Sequence, residues 1–477
     1  MSDPGSIPSS GTSGAPTPAQ TPMSRRSVLK GLAGAAGLAV VPGGLLAACS
    51  SSKSSSSPAT TTAAPAASTP GAAAPSTAVS SAAAPVAGGS ITFGSNYSDA
   101  APKAAFATLC QQATAATNVN ITVNTTDHNT FQNNITAYLQ GTPDDLATWF
   151  AGYRMQFFAA KGLLTPIDDV WDKIGGNFND ATKALSKGLD GHYYFVPIYN
   201  YPWVVFYNKS VFAAKGYTVP TTWDDFISLA KKMKQDGMTP IAFADKDLWP
   251  ALGTFDIINL RVNGYDYHMK LMQNNASYTD KEVTQVFTQW AEVLPYCQSG
   301  ANGRIWQDAA KALENKQAGM MFQGSNQVAA NYAAANLPDL DFFPYPAINP
   351  TFGQDYMDAP ADGFFLPKNA KNLDAAKAVL EYIGTGPAET AYLKTDQWDV
   401  GLATNIDTSG YNDIQKKSAT AIAACKNVSQ FGDRDTDPAM ASALEALIQK
   451  FIDDPSSSNI KSIQNSAAAQ AKQIFGS

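Results

Sequence analysis

Side chains that could bind a small polar molecule follow the ends of several short apolar stretches typical of β-strands. They are Asn96, Asp127, Tyr153 and Arg154. If these strands form a parallel sheet, their carboxyl ends meet at one edge, which is where such sheets bind ligands. Amide, carboxylate and guanidinium groups can hydrogen-bond to hydroxyls, and an aromatic ring can pack against an apolar face. These residues are therefore expected on one rim of a binding site.

The segments around these residues alternate between strand and helix patterns. Strands are predicted near residues 90–93, 121–123, 145–150, 240–243, 318–322 and 363–367. Thr222 is placed to cap a helix whose buried face includes Phe226 and Met233. The alternation predicts an α/β fold with βαβ units and a mostly parallel sheet, followed by a second α/β unit after Val204. Further candidates follow strands of that second unit: Asp247, Trp249, Gly324 and Ser325.

Motifs for several kinds of catalysis and cofactor binding are absent from the sequence. It contains no phosphate-binding G-x-x-x-x-G-K-[ST] loop, no H-E-x-x-H, no paired C-x-x-C and no G-x-S-x-G. The histidines show no metal-ligand spacing, although His128 lies in a predicted rim loop and could donate to a hydroxyl. An acidic run that begins at Asp433 resembles the start of a calcium loop, but Pro438 stands where that loop requires Gly. Neither a metal nor a cofactor is predicted.

The N-terminal part carries a pattern typical of exported lipoproteins. Arg25 and Arg26 precede an apolar, Gly-rich run, and small residues lead to Cys49. The paired arginines resemble a twin-arginine export signal, and a Cys after small residues resembles the site where bacterial lipoproteins are cleaved and lipidated. A permanent membrane helix is the alternative, which the glycines in the run disfavour. We expect residues 1–48 to be removed, Cys49 to be lipidated, and residues 49–88 to form a disordered Ser/Thr/Ala/Pro tether.

Composition excludes one class of partner and limits the disulfides. The 477 residues carry a formal net charge of −7 and no Lys/Arg cluster follows the signal, so nucleic acid is not expected as a partner. Besides Cys49 an odd number of cysteines remains, which allows one disulfide and one free thiol. Cys110 lies on the predicted buried face of a helix and is expected to be inert. Translation could begin at Met1 or at Met23.

Several stretches resemble, in the same order, family 1 extracellular solute-binding proteins, the sugar receptors of ABC importers, which include the maltose-binding proteins. One stretch reads Pro220-Thr221-Thr222-Trp223-Asp224-Asp225-Phe226. The others lie at residues 143–145, 161–167, 192–197, 207–212, 316–321 and 368–372. Each stretch alone is a weak match to the family, but their shared order makes the resemblance specific. The resemblance covers residues 89–477. Gram-positive importers tether their receptors as lipoproteins, which agrees with the N-terminal pattern.

The resemblance implies a two-lobed, periplasmic-binding-protein-like α/β fold of type II, with the lobes joined by a three-segment hinge. Lobe 1 would comprise residues 89–202 and 360–401, and lobe 2 residues 203–359 and 402–477. The hinge segments would lie near residues 201–205, 356–360 and 401–403. Such lobes close on a ligand by hinge motion. Cys297 and Cys425 then share lobe 2, and export to an oxidising space would permit a disulfide between them.

The resemblance also implies sugar-binding positions. Candidates at the hinge crossings are Trp203, Asp362, Gly363 and Trp398. Candidates at strand ends, where the family has polar or aromatic sugar contacts, are Tyr153, Arg154, Asp247 and Trp249. Gly324 and Ser325 lie where many relatives carry an aromatic platform, and the acidic loop at 433–437 could reach the cleft from lobe 2. For any single Trp, burial in the core is an equally good alternative.

The function implied is that of a non-enzymatic, monomeric receptor that delivers a sugar to the membrane permease of an ABC importer. It would be extracytoplasmic and held by lipid on Cys49 to the outer face of the cytoplasmic membrane. One alternative is a secreted glycoside hydrolase, which would need two carboxylates across the scissile bond, for instance among Asp127, Asp247 and Asp362. Another is the same fold with a polyamine or glycerophosphodiester as ligand, although Arg154 argues against a cation.

Overall fold

The computed structural model describes residues 88–476. The predicted export signal, Cys49 and the tether up to residue 87 lie outside the described residues. The strands are β1 Gly89–Ser95, β2 Val119–Thr125, β3 Leu146–Phe150, β4 Phe195–Asn200, β5 Trp203–Asn208, β6 Thr239–Ile241, β7 Ala318–Gly324, β8 Leu340–Phe343, β9 Tyr356–Asp358, β10 Ala361–Phe365 and β11 Asn427–Ser429. In the part of the chain so described, no helix combines the length and the apolar character that crossing a membrane requires.

The helices of the first half are α1 Ala100–Thr117, α2 His128–Gln140, α3 Tyr153–Ala160, α4 Asp168–Ile174, α5 Asp180–Leu185, α6 Lys209–Lys215, α7 Trp223–Gln235, α8 Trp249–Asn263 and α9 Tyr265–Met272. Those of the second half are α10 Lys281–Val293, α11 Trp306–Glu314, α12 Ser325–Ala329, α13 Leu373–Ile383, α14 Gly386–Leu393, α15 Asp413–Ala424, α16 Gly432–Asp435, α17 Pro438–Asp453 and α18 Ser457–Phe475. Short 3-10 turns occupy Gly175–Asn177, Leu294–Tyr296, Ala301–Gly303 and Leu337–Asp339.

Two sheets organise the fold, and each defines one lobe. The sheet of lobe 1 has five strands in the order β2-β1-β3-β10-β4, and the sheet of lobe 2 has four in the order β6-β7-β5-β8. The expected α/β class is confirmed, but the sheets are less parallel than the sequence predicts. β10 runs antiparallel to β3 and β4, and β5 runs antiparallel to β7 and β8. The reason is that β10 enters lobe 1 from the hinge, whereas β4 leaves the lobe there.

Local patterns explain why these elements form. The side chain of Thr222 accepts a hydrogen bond from the N–H of Asp225 and caps α7, whose buried face includes Phe226 and Met233 as predicted. In lobe 1, the rings of Phe93, Phe106 and Phe364 pack with centroid distances of 4.9, 5.3 and 5.7 Å, which fixes α1 and β10 against β1.

The chain passes between the lobes at three places. The first lies between β4 and β5, and the second between β9 and β10. Thr404 still donates its N–H to the carbonyl of Asn177 in lobe 1 at 2.7 Å, and Ala403 pairs with Phe178. The third crossing therefore lies between residue 405 and the start of α15, later than the expected 401–403.

The expected disulfide is not formed in the structure, where Cys110, Cys297 and Cys425 are free. The Cys297 thiol donates to the carbonyl of Val293 at 3.6 Å, and the Cys425 thiol to that of Ala421 at 3.4 Å. Each thiol is therefore directed at the backbone of the turn that precedes its own cysteine. Burial raises the pKa of Cys297 to about 12 and that of Cys425 to about 11, so both stay protonated at neutral pH.

A buried carboxyl group holds the segment that leads to the third crossing. Glu389 of α14 accepts hydrogen bonds from the N–H groups of Leu402 and Ala403, each at 2.8 Å. Burial raises the pKa of Glu389 to about 8. The native protein therefore holds a proton at neutral pH that the unfolded chain releases.

We expect the stability of the protein to fall between about pH 6 and pH 8, and the Glu389→Gln variant to fall less steeply. A carboxyl group with a raised native pKa contributes stability that is fully present below its unfolded pKa and is lost as the pH rises through the native one. Between these limits the loss is about 1.4 kcal/mol of unfolding free energy per pH unit. Gln keeps an accepting oxygen but does not titrate. Urea denaturation at both pH values tests this, and equal pH slopes for the two proteins would contradict it.

Candidate functional site

A cavity lies between the lobes, where the ends of both sheets meet the hinge. The centre of a water-sized sphere can occupy about 60 Å³ of it. A single water molecule requires about 10–15 Å³ on that measure, so the cavity has room for a guest of a few water diameters. The lining residues are Asn96, Tyr97, Ser98, Asp99, Pro102, His128, Gln132, Phe150, Tyr199, Tyr201, Trp203, Trp249, Trp306, Asn326, Gln327, Asp362, Phe431, Asp433 and Arg434.

Aromatic rings from lobe 2 form one wall of the cavity. The ring of Trp203 packs on that of Phe431 with centroids 4.7 Å apart. Trp249 contacts Trp203 at 6.3 Å and Trp306 at 6.2 Å. Gly253 of α8 makes room for this packing, because a Cβ there would lie 2.4 Å from the indole of Trp203. Flat apolar walls of this kind suit the C–H-rich face of a ring-shaped guest.

The backbone before α8 is strained in a way that orients Trp249. Leu248 has a φ of +73°, and the N–H of Trp249 donates to the carbonyl of Asp247 at 2.9 Å. This is a γ-turn with positive φ, a rare conformation for a non-glycine residue. Such strain costs about 1–3 kcal/mol and is found mostly at functional sites. The indole Nε1 of Trp249 donates across the cleft to Asn129 of lobe 1 at 3.4 Å.

A buried ion pair lines the cavity beside the hinge. Arg434 of α16 donates to Asp362 of β10 at 2.6 Å and to the hydroxyl of Tyr201 at 3.1 Å, and its guanidinium lies 4.0 Å from the ring centroid of Phe150. Burial disfavours the charged form of Arg434, but the Asp362 carboxylate outweighs it and raises the pKa of Arg434. Tyr199 donates a further hydrogen bond to Asp362 at 3.1 Å. Burial raises the pKa of Asp362, and Arg434 and Tyr199 offset this only in part, but their hydrogen bonds fix the carboxyl group beside the hinge.

A second ion pair connects the two lobes just outside the cavity. Arg154 of α3 donates to Asp433 of α16 at 2.5 Å and to the side-chain oxygen of Gln132 at 2.8 Å. The second contact turns the amide nitrogen of Gln132 toward Nε2 of His128, 2.6 Å away. Burial lowers the pKa of His128 to about 4, so the ring is neutral and Nε2 accepts this hydrogen bond.

Several lining residues carry buried polar atoms that have no hydrogen-bond partner among the described residues. They are Asn96 Nδ2, Tyr97 Oη, Trp203 Nε1, Trp306 Nε1, Asn326 Oδ1, Gln327 Oε1, Asp433 Oδ1 and Arg434 Nε. Buried polar atoms in proteins are nearly always hydrogen-bonded, so such a group of donors and acceptors around one cavity points to a ligand. Together with the aromatic wall, it suits an uncharged guest with hydroxyls at its rim and an apolar face. Within residues 88–476 no group of His, Cys, Asp and Glu side chains could hold a metal ion.

The structure brings only part of the predicted set to the cavity. Asn96, Trp203, Trp249 and Asp362 line it. The predicted residues that do not line it are Asp127, Tyr153, Arg154, Asp247, Gly324, Ser325, Gly363 and Trp398. A ligand role stays a prediction for the first set.

Most residues of the second set have another structural role. The carboxylate of Asp127 caps α2 by accepting from the N–H of Thr130 at 3.0 Å. Trp398 is buried in an apolar cluster with residues of β5 and α11. The two glycines permit close packing, because a Cβ on Gly324 would lie 2.9 Å from the ring of Tyr201 and one on Gly363 2.2 Å from the carbonyl of Val196.

Tyr153, Asp247 and Ser325 stand next to cavity elements without lining the cavity. Tyr153 begins α3, and Ser325 is buried as the first residue of α12. Asp247 supplies the carbonyl of the turn before Trp249. Any effect of these three residues on the cavity is therefore indirect, through the elements that they begin or precede.

Other lining residues had not been predicted. They are Tyr97, Ser98, Asp99, Pro102, Gln132, Phe150, Tyr199, Tyr201, Trp306, Asn326, Gln327, Phe431 and Arg434. Some directly follow predicted residues in the chain. The sequence does contain an indication that Arg434 lines the cleft, because Arg434 is a single cation between acidic residues in a loop that is expected to reach the cleft.

The known proteins that this chain resembles are consistent with a binding cavity between two lobes. The model of the bacterial extracellular solute-binding protein family matches residues 94–388. An uncharacterized ABC transporter extracellular-binding protein of Pyrococcus horikoshii is 30% identical over 260 residues, which cover 53% of this chain and 57% of that protein. A probable sugar-binding periplasmic protein of Mesorhizobium japonicum is 24% identical over 323 residues, or 64% of this chain and 75% of that protein. The chain thus spans little more than half of the first of these relatives.

A solved structure is more similar. The bacterial solute receptor AcbH, whose crystal structures are described with an exclusive substrate preference for β-D-galactopyranose, is 72% identical with a TM-score of 0.81. The match covers 81% of this chain and 99% of that chain. A maltose-bound protein of T. maritima is 12% identical with a TM-score of 0.65 and shows the fold alone. The predicted two-lobed fold and the predicted family resemblance are both confirmed.

Proposed function

The chain belongs to the bacterial extracellular solute-binding protein family, and from that premise we propose that it captures a single sugar ring between its lobes for an ABC importer. The observation that carries the proposal is the small cavity itself. Its aromatic wall can cover a pyranose face, while Asn96, Asn326 and the indole nitrogens of the wall can pair with hydroxyls. β-D-galactopyranose is the first candidate, because that is the stated substrate of the 72% identical receptor AcbH.

The size of the cavity supports a monosaccharide rather than an oligosaccharide. About 60 Å³ is open to the centre of a water-sized sphere, and the lobes meet around it through Arg154–Asp433 and Trp249–Asn129. A second sugar ring would have to displace one of these contacts. The charges in the cavity disfavour a polyamine, because two of its three lining carboxylates, Asp362 and Asp433, are already paired with an arginine.

Calorimetric titration with D-galactose, D-glucose and maltose tests the proposal. We expect one galactose bound per chain and no measurable binding of the disaccharide. Ligand at a hundred times its Kd should add about 2.7 kcal/mol to the unfolding free energy, which appears as a higher melting temperature. Binding of maltose as tightly as galactose would contradict the size argument, and no binding of any sugar would contradict the function.

We also propose that the guest is released unchanged. A glycosidase needs one carboxylic acid and one carboxylate that are free to act on the bond. Three carboxylates line the cavity, and of these Asp362 is paired with Arg434 and Asp433 with Arg154. Only Asp99 is not paired with an arginine, so among the described residues the cavity offers no second unengaged carboxyl group to work with it. Incubation with a chromogenic β-galactoside is expected to give no product beyond the uncatalysed rate, and turnover would contradict the receptor proposal.

We further propose that the protein is exported by a twin-arginine signal and anchored as a monomer through lipid on Cys49, facing the permease of its importer. The Arg25-Arg26 pair and the small residues before Cys49 support this. Intact-mass measurement of membrane-extracted protein tests it, and an N-terminus upstream of Cys49 would contradict it.

A further inference from the structure

Lobe 1 and lobe 2 meet outside the cavity at the turn between β3 and α3. Gly152 in this turn has a φ of +75°, and a Cβ there would lie 3.2 Å from both the carbonyl oxygen of Arg434 and the side chain of Gln430. The side chain of Gln430 in turn accepts a hydrogen bond from the N–H of Ala361 at 3.0 Å. A glycine is thus required for the turn to approach the segment of lobe 2 that carries two lining residues.

Arg154 lies at the centre of this contact and has one partner on each lobe. Its Nη1 donates to Gln132 of lobe 1 and to Asp433 of lobe 2, and its guanidinium lies 5.4 and 5.5 Å from the rings of Trp149 and Phe150. Both hydrogen-bond partners line the cavity, whereas Arg154 does not. The side chains of the ion pair are 16% and 8% exposed, so water screens the pair only partly.

We infer that Arg154 is a positioning residue that favours the closed form by joining Gln132 and Asp433 across the cleft without touching the ligand. The inference rests on the proposed function. When the lobes rotate apart about the hinge, Arg154 and Asp433 separate, and both charges return to water. The pair therefore exists only in the closed protein, and its loss acts on the lifetime of the closed complex. This role is proposed in place of the sequence-based prediction that Arg154 contacts the ligand directly.

The kinetics of binding separate a positioning role from direct contact or general damage. A ligand enters the open form, in which the pair is absent, so kon should not depend on it. It leaves only after opening, so koff should rise when the pair is removed. For Arg154→Gln we expect galactose affinity to fall about tenfold, a typical value for a charged hydrogen bond, and the whole loss to appear in koff. Arg154→Lys keeps the charge and should recover part of the loss.

Stopped-flow tryptophan fluorescence with D-galactose measures both rates in the full-length protein. Lys173→Gln is the matched control, because Lys173 pairs with Glu381 within lobe 1 and on the surface. This control should leave kon and koff unchanged. Raising the salt concentration should speed release from the wild type more than from Arg154→Gln.

The outcomes distinguish this inference from the proposed function. Galactose binding by the wild type with an unchanged koff in Arg154→Gln would overturn the inference and leave the function intact. The inference would also be overturned if the loss of galactose affinity came from a lower kon. The same holds if Arg154→Lys bound galactose as weakly as Arg154→Gln. Failure of the wild type to bind any sugar would contradict the proposed function and remove this inference with it.

Discussion

Replacing Arg434 by methionine is expected to abolish sugar binding and to lower the unfolding free energy by roughly 3–5 kcal/mol. The change leaves Asp362 buried without its cation and removes the hydrogen bond to the Tyr201 hydroxyl. Methionine fills similar space against Phe150, so the loss reflects charge rather than a cavity. Urea denaturation measures the stability, and calorimetric titration with galactose measures the binding.

The double variant Arg434→Met with Asp362→Asn separates the two effects. Removing the uncompensated carboxylate should restore most of the stability, because an unpaired buried charge is what destabilises the single variant. Binding should not return, since the guanidinium that lines the cavity is still missing. A single variant as stable as the wild type would show that the pair contributes nothing, and binding by the double variant would show that the pair is not part of the site.

The architecture could be predicted from sequence because it depends on local periodicity. Alternating strands and amphipathic helices indicated the α/β class, and the cap at Thr222 with its apolar face gave α7. The strand directions were harder to predict from the sequence. That β10 runs antiparallel to its neighbours follows from where the chain re-enters lobe 1, which no local pattern contains.

The site could be predicted only where position along a strand was sufficient. Asn96 and Asp362 lie at strand ends and line the cavity, but Asp127 has the same kind of position and caps a helix instead. The end of a strand places a residue on the rim without fixing where its side chain points. The Arg434–Asp362 pair was missed because its members are 72 residues apart and meet only when the loop of lobe 2 reaches the hinge.

Truncating Trp249 to alanine is expected to weaken sugar binding at least tenfold, or about 1.4 kcal/mol, with little change in melting temperature. Trp249 is half-buried at the centre of the aromatic wall, so it offers its ring to the guest rather than to the core. It also donates to Asn129 across the cleft, and its loss should hinder closure as well. Galactose titration and thermal unfolding of the same preparation measure both quantities.

Trp223→Ala is the matched comparison, because Trp223 is buried in α7 away from the cavity and donates to Glu292 at 2.8 Å. We expect the opposite pattern from it, a clear loss of stability of roughly 3–5 kcal/mol with an unchanged Kd. If both variants lost stability and affinity in the same proportion, the wall would be ordinary core. An unchanged Kd in Trp249→Ala would place the apolar face of the guest away from the Trp203–Trp249–Trp306 wall.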